Sequence, residues 1–215
     1  MPYWKRFVLG TLVAAAALFA VLAINVAKGD PLASLDASVA ASFAAHHEPA
    51  LTAFMLIVTH AHAPFAVCLY TAAGAALFAR RREWYWLWGL IVAVPGGLLI
   101  NVILKNVFQR ARPDPHHPLL MFATYSFPSG HTAGTTLLYG VLAAYAGYRM
   151  RTSSARAACV ATWLLAVVLV GSSRIYLGVH FMSDVLAAVT WSLAWLALCL
   201  LGAHEVHLRA RTRSD

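Results

Sequence analysis

A chain of 215 residues that is 61% apolar and 11% charged, with a mean hydropathy of +0.69, falls outside the range of soluble globular domains, in which about 25% of residues are charged. Its formal net charge of +8 calls for no nucleic acid, because basic residues flanking apolar runs orient membrane helices. Cys68, Cys159 and Cys199 lie singly inside apolar runs, so they form neither a disulfide framework nor a metal spacing and read as packing residues.

Apolar runs of ~20 residues match a hydrocarbon layer ~30 Å thick, and a helix satisfies its own backbone there. The chain is therefore expected to be all-α: a single integral-membrane domain over 1–215, with six transmembrane helices in a bundle. The first span is expected over Phe7–Ala27, behind Lys5 and Arg6. Its apolar part exceeds the core of a secretory signal, so it is read as a retained helix. Segment 30–49 mixes apolar and polar residues at helical spacing and is expected to lie as an amphipathic helix on the outer membrane surface. Spans two and three follow over Leu51–Ala79 and Trp84–Leu104, separated by Arg80, Arg81 and Arg82. Trp84, Trp86 and Trp88 form an interfacial aromatic belt. Span four runs from Ser129 to Tyr148, span five over Ala157–Gly171, and span six over Val179–Ala203.

Six spans place Lys5, Arg6, Arg80–Arg82, Arg149, Arg151, Arg156 and the basic C-terminus on one side, which is expected to be cytoplasmic together with both termini. Lys28, Lys105, Arg110, Arg112 and Arg174 fall on the opposite side. Cations placed against the topological bias need another reason, and binding an anion is the simplest.

Three stretches supply that reason. In "FPSGHTAGTT" (127–136), Ser129 is a helix N-cap residue and Gly130 allows close backbone approach. The exposed N–H groups of a helix start bind phosphate, and His131 sits in the same turn. In "KNVFQRARP" (105–113), Lys105 and Arg112 are seven apart, which on a continuous helix puts both on one face before Pro113 ends it. In "SRIYLGVHFMSD" (173–184), His180 and Asp184 are four apart and expected to be neighbours on a helix, the carboxylate fixing the imidazole tautomer. Arg174 is expected in the loop entering that helix. Ionisable groups at membrane depth are costly and read as functional.

Together these residues form one long pattern: Lys105, Arg112 and Pro113; Pro128, Ser129, Gly130 and His131; Ser173, Arg174, His180 and Asp184. It resembles the signature of the type-2 phosphatidic acid phosphatase family, the membrane branch of the superfamily that includes vanadium haloperoxidases. The motifs span 105–184, and no motif residue departs from the family's. The resemblance implies a metal- and cofactor-independent phosphatase in which His180 is the nucleophile, Asp184 orients it, and His131 is the general acid. Lys105, Arg112, Ser129, Gly130 and Arg174 would hold the phosphoryl oxygens. The implied substrate is a lipid phosphate or pyrophosphate (undecaprenyl pyrophosphate, phosphatidylglycerophosphate or phosphatidic acid) at the extracytoplasmic face of a bacterial inner membrane. Membrane lipids are the implied surroundings, and nothing sets an oligomeric state. Phosphotransfer to another acceptor and non-enzymatic lipid-phosphate binding are the alternative classes.

Several residues carry no assignment. Arg110 lies outside the pattern and is at most a supporting phosphate contact. His116 and His117, beside Asp114, are the ingredients of a rival metal site with His131, His180 and Asp184. His60 and His62 lie inside span two, and Asn101 is expected to make an interhelical hydrogen bond.

Overall fold

The computed structural model describes residues 3–29, 32–113 and 124–211, so His116 and His117 lie outside the described residues. Among the described residues the regular structure is helical, in eight segments. They are α1 (Tyr3–Ala27), α2 (Ala33–Ala44), α3 (Pro49–Ala61), α4 (Pro64–Arg80), α5 (Trp84–Phe108), α6 (Gly130–Arg149), α7 (Ser153–Tyr176) and α8 (Met182–Arg211).

The second expected span is broken. Ala63 is extended before Pro64, which opens α4 at its first turn, and α3 and α4 meet at a 49° bend. Four helices (α1, α5, α7 and α8) are long and apolar enough to cross a membrane, or five if the bent pair counts as one span. The expected fourth span, α6, is not among them. Its first turns carry His131, Thr132, Thr135 and Thr136, all buried. The reason is packing: α6 contacts α4, α5, α7 and α8, so its neighbours and not lipid surround it. A helix enclosed by protein can carry hydroxyls, because Thr135 and Thr136 donate to the carbonyls of His131 and Thr132, one turn back.

The outward faces of the bundle are apolar. Phe65, Ile57, Leu165 and Val168 are each more than 60% exposed, a distribution suited to lipid and not to water. Inside, Leu90, Val94, Leu137 and Trp191 form the main core with Val67 and Ala133. Close approach at α7–α8 depends on Gly171, where an added Cβ would stand 2.7 Å from Val185 Cγ1. α1 packs along α8, while the short α2 lies across the ends of α7 and α8.

The ends of the bundle differ in chemistry. Arg80 closes α4, Arg149 closes α6, and Arg149 reaches Glu83 at 3.5 Å before the start of α5. The opposite end gathers the C-terminal turns of α5 and α7 with the N-terminal turns of α6 and α8. Every described motif residue lies there.

Candidate active site

The motif residues converge, but by routes that differ from the expected ones. Helix α5 ends at Phe108, because Gln109 turns into the left-handed region (φ 47°). Lys105 is therefore helical and Arg112 is not. They meet because the chain folds back: Lys105 Nζ donates to the Tyr125 carbonyl at 2.5 Å, and Arg112 Nη2 reaches the same carbonyl at 3.3 Å. Ser126 fastens this return, its N–H donating to the Arg110 carbonyl at 2.9 Å and its hydroxyl to the Ala111 carbonyl at 2.8 Å.

Arg174 is not in a loop. Helix α7 runs five residues past its expected end, and Arg174 occupies the last turn, fully buried, donating to Thr59 Oγ1 of α3 at 2.5 Å. The chain then turns at Gly178, which has φ 70° and needs no Cβ. Tyr176 anchors this turn: its carbonyl bonds His47 Nε2 at 2.7 Å, and its hydroxyl bonds Thr52 Oγ1 at 2.9 Å.

His180 consequently precedes α8, while Asp184 sits in that helix's first turn. The expected pair forms nonetheless, with His180 Nδ1 3.3 Å from Asp184 Oδ2. The same carboxylate oxygen accepts the Phe181 N–H at 2.9 Å, tying the helix start in the manner of a capping box. Arg112 Nη1 stands 3.3 Å from His180 Nε2 and donates to the Val179 carbonyl at 2.8 Å. These partners assign the tautomer: Nδ1 carries the proton toward Asp184, and the Nε2 lone pair faces the guanidinium. Burial, the largest influence on His180, pulls its pKa down to about 3, and the opposing pull of the Asp184 bond does not reverse it.

Helix α6 begins beside this pair. The Ser129 N–H donates to the Asp184 carbonyl at 3.1 Å, locking the starts of α6 and α8 together. The expected N-cap is not made: the Ser129 side chain accepts no backbone N–H, and its oxygen instead accepts from Thr132 Oγ1 at 3.1 Å. The first turn of α6 is thus open to an anionic guest. A Cβ on Gly130 would lie 4.0 Å from Lys105 Cε, which measures how closely the lysine passes this helix start. His131 is 7% exposed, and its electrostatic neighbours are Arg174, His180, Arg112 and Lys105. Asn101 is buried against Gly130, and its Oδ1 accepts no hydrogen bond among the described residues.

Two residues fall outside the expected roles. Arg110 is held by carboxylates. Its Nη1 donates to Asp184 Oδ1 at 2.7 Å and to Ser183 Oγ at 2.6 Å, while Nη2 meets Asp36 Oδ2 at 2.9 Å. Burial opposes the Arg110 charge, but the two carboxylates outweigh it and its pKa is raised. Asp36 belongs to α2, the expected surface helix, and is 2% exposed. It accepts the Ser183 N–H at 2.9 Å and the Ser183 hydroxyl, taking up a donor that the first turn of α8 leaves open. The only signal for it in the sequence is one acid in a helix whose other residues are apolar or serine. His62 bonds the Tyr139 hydroxyl at 3.1 Å and the Val58 carbonyl at 2.9 Å, and His60 the Leu56 carbonyl at 2.7 Å; both are accounted for by packing. No group of three His, Cys, Asp or Glu residues that could hold a metal occurs among the described residues.

Known proteins share the family and the fold. A family model described as the PAP2 superfamily matches residues 84–207. The chain is 34% identical over 166 residues to phosphatidylglycerophosphatase B of Bacillus subtilis (strain 168), covering 74% of this chain and 79% of that protein. It is 36% identical over 125 residues to lipid A 1-phosphatase of Rhizobium johnstonii, covering 54% of this chain and 46% of that one. The crystal structure of a transmembrane PAP2-type phosphatidylglycerolphosphate phosphatase from Bacillus subtilis superposes with a TM-score of 0.81 at 30% identity, over 91% of this chain and 97% of that one.

Proposed function

The chain belongs to the PAP2 superfamily and is an integral-membrane lipid phosphatase; from that premise we propose that it cleaves the phosphomonoester of a lipid such as phosphatidylglycerophosphate through a phosphohistidine at His180. The observation that carries the mechanism is the buried His180, with its Nδ1 against Asp184 and its Nε2 against Arg112.

Nε2 attacks phosphorus, an N–P bond forms, and the P–O bond to the lipid alcohol breaks. A phosphate dianion seated among the cations offsets their charge, so that His131 holds a proton taken up with the substrate and gives it to the departing oxygen. Phosphorylated His180 is then a cation whose Nδ1–H points at the Asp184 carboxylate, which balances the new charge. In the second half-reaction His131, now neutral, takes a proton from water as that oxygen attacks phosphorus. The N–P bond breaks, inorganic phosphate leaves, and His180 returns to its neutral form. Lys105, Arg112, Arg174 and the N–H groups of the first turn of α6, with Ser129 and Gly130, offset charge on the phosphoryl oxygens. Phosphoryl transfer depends mainly on this kind of positioning and charge compensation.

The choice of phosphatidylglycerophosphate as the first substrate draws on the named activity of the Bacillus subtilis relative; undecaprenyl pyrophosphate and phosphatidic acid share the same reacting group. Counting α6 and the bent α3–α4 pair gives the six-span bundle. The cationic end of α5 and α7 then lies opposite Arg80–Arg82 and Arg149, which supports an extracytoplasmic site in a bacterial inner membrane with cytoplasmic termini. A tail held in lipid can present its head group at that end.

The purified protein is expected to release inorganic phosphate from phosphatidylglycerophosphate in mixed micelles, with activity retained in excess chelator. Appearance of the phosphoryl group on a second lipid, with no free phosphate, would replace hydrolysis by transfer. Loss of activity in chelator, restored by a divalent metal, would overturn the metal-free mechanism.

The depressed pKa of His180 sets a pH dependence. A histidine whose pKa is lowered stays neutral, and so nucleophilic, to more acidic pH than an ordinary one. On an aryl phosphate, whose leaving group needs little protonation, the acid limb of kcat/KM that reports His180 should lie below the ordinary imidazole value of 6.5. A nucleophile limb centred at or above that value contradicts the buried neutral imidazole.

A further inference from the structure

The proposed mechanism places a cation at His180 during each turnover and gives Asp184 the task of balancing it. Yet Asp184 already has a cationic partner. Arg110 Nη1 donates to its Oδ1 at 2.7 Å, so a guanidinium competes with the imidazolium for one carboxylate. Undivided, that ion pair would spend most of the Asp184 charge before the reaction began. The structure contains a counterweight. The other arm of Arg110 meets Asp36 Oδ2 at 2.9 Å, and Asp36 is as deeply buried as Asp184. Two carboxylates thus share one guanidinium, and the ring of Phe181 stacks under it at 4.4 Å, fixing its plane. Ser183 closes the arrangement, accepting from Arg110 while its hydroxyl and N–H donate to Asp36.

We propose that Asp36, on α2, acts through Arg110 as a positioning and charge-sharing residue for Asp184, leaving that carboxylate enough negative charge to stabilise phosphorylated His180. This rests on the phosphohistidine reading above. Asp36 and Arg110 meet Asp184 and Ser183 at the start of α8, so their influence is expected on the chemical step and not on capture of the lipid. The inference gives α2, which precedes the region matched by the family model, a part in catalysis. One feature sets this arrangement apart from a structural clasp. Both Asp36 oxygens accept hydrogen bonds, so asparagine removes an acceptor together with the charge and would weaken either arrangement. A clasp is weakened further by each partner removed, whereas removing the cation relieves a charge imbalance.

The test uses the full chain in detergent with phosphatidylglycerophosphate. Asp36→Asn should lower kcat by about 10- to 100-fold, the scale of one unit charge acting across a partly buried site at an effective dielectric near 20. Its KM should stay near that of wild type, and binding of orthovanadate, read by calorimetry, should be retained. Asp36→Glu keeps the charge with altered hydrogen-bond geometry and should stay close to wild type. The decisive variant is Asp36→Asn/Arg110→Gln, in which the charge left on Asp184 again has no full partner. It should be faster than Asp36→Asn alone. A wild-type kcat in Asp36→Asn, equal damage from Asn and Glu, or a double variant slower than the single would each overturn the proposal. Should Asp36→Asn not fold, Asp36→Glu and the double variant are compared with wild type: both should keep kcat near it, and a kcat far below wild type in either overturns the proposal. His180→Ala and Asp184→Asn run alongside: if these are inactive while the Asp36 series is silent, the charge-sharing idea fails and the phosphohistidine reading stands. If His180→Ala is active, the reading itself has failed.

Discussion

His180→Ala should eliminate phosphate release, with a loss on the order of 10⁴-fold or more, because removing a nucleophile removes the covalent route and leaves only binding and charge stabilisation. The groups bonded at the imidazole are not nucleophiles poised to replace it. The imidazole meets the Arg112 guanidinium and the Asp184 carboxylate, and that carboxylate is already bonded to Arg110 and the Phe181 N–H. Those same bonds explain why the variant should still fold. Asp184 loses one partner at 3.3 Å and keeps two, at 2.7 and 2.9 Å, so no buried charge is left uncompensated. Incubation of wild-type protein with radiolabelled substrate, quenched in alkali, should trap an alkali-stable, acid-labile phosphoprotein that the variant lacks. A folded His180→Ala protein with substantial turnover, or with the same trapped label, would remove His180 as nucleophile.

His131→Ala should have the second-largest effect, and its size should depend on the leaving group. For a lipid phosphomonoester, whose alkoxide leaves poorly without a proton, loss of a general acid costs about 10²- to 10⁴-fold. For an aryl phosphate the loss in the first half-reaction should be far smaller. Dephosphorylation still needs water activated, so phosphoenzyme should accumulate and a burst of aryl alcohol should precede slow turnover. The position of His131 makes this division of labour possible, since it lies in the first turn of α6 and has His180 among its electrostatic neighbours. An equal fractional loss on both ester classes, with no burst, would show that His131 binds phosphate and does not transfer a proton.

Much of this site is readable in the residues alone, and the parts that are not share a cause. The pattern Lys105, Arg112, Pro128–His131, Arg174, His180 and Asp184 identifies both the family and the end of the bundle at which these residues meet. The local geometry expected from spacing fails three times. Lys105 and Arg112 do not share a helical face, because Gln109 ends α5 early. His180 lies before its helix, and Arg174 lies inside one. In each case helix boundaries shift by a few residues, because tertiary contacts outweigh the weak local preferences that set where a helix stops. The spacing of these motifs is therefore suited to a set of turns held by distant partners.

The sequence by itself determined the class of protein, a membrane lipid phosphatase of the PAP2 superfamily. Long apolar runs with few charges admit membrane helices, and cations set against the topological bias demand an anion. A histidine with an acid four residues on brings a nucleophile within reach of its support in either a helix or a tight turn. Tertiary structure alone decided what tunes the site. Asp36 reaches Arg110 across 74 residues and Ser183 across 147, and Thr59 reaches Arg174 across 115. It also decided that α6 is enclosed by other helices, which lets a span-length segment carry threonines and a histidine. Hydropathy and spacing report on neighbours along the chain, within a turn or two. Burial, and the pairing of one charge with another, depend on which helices pack side by side, and no local period encodes that.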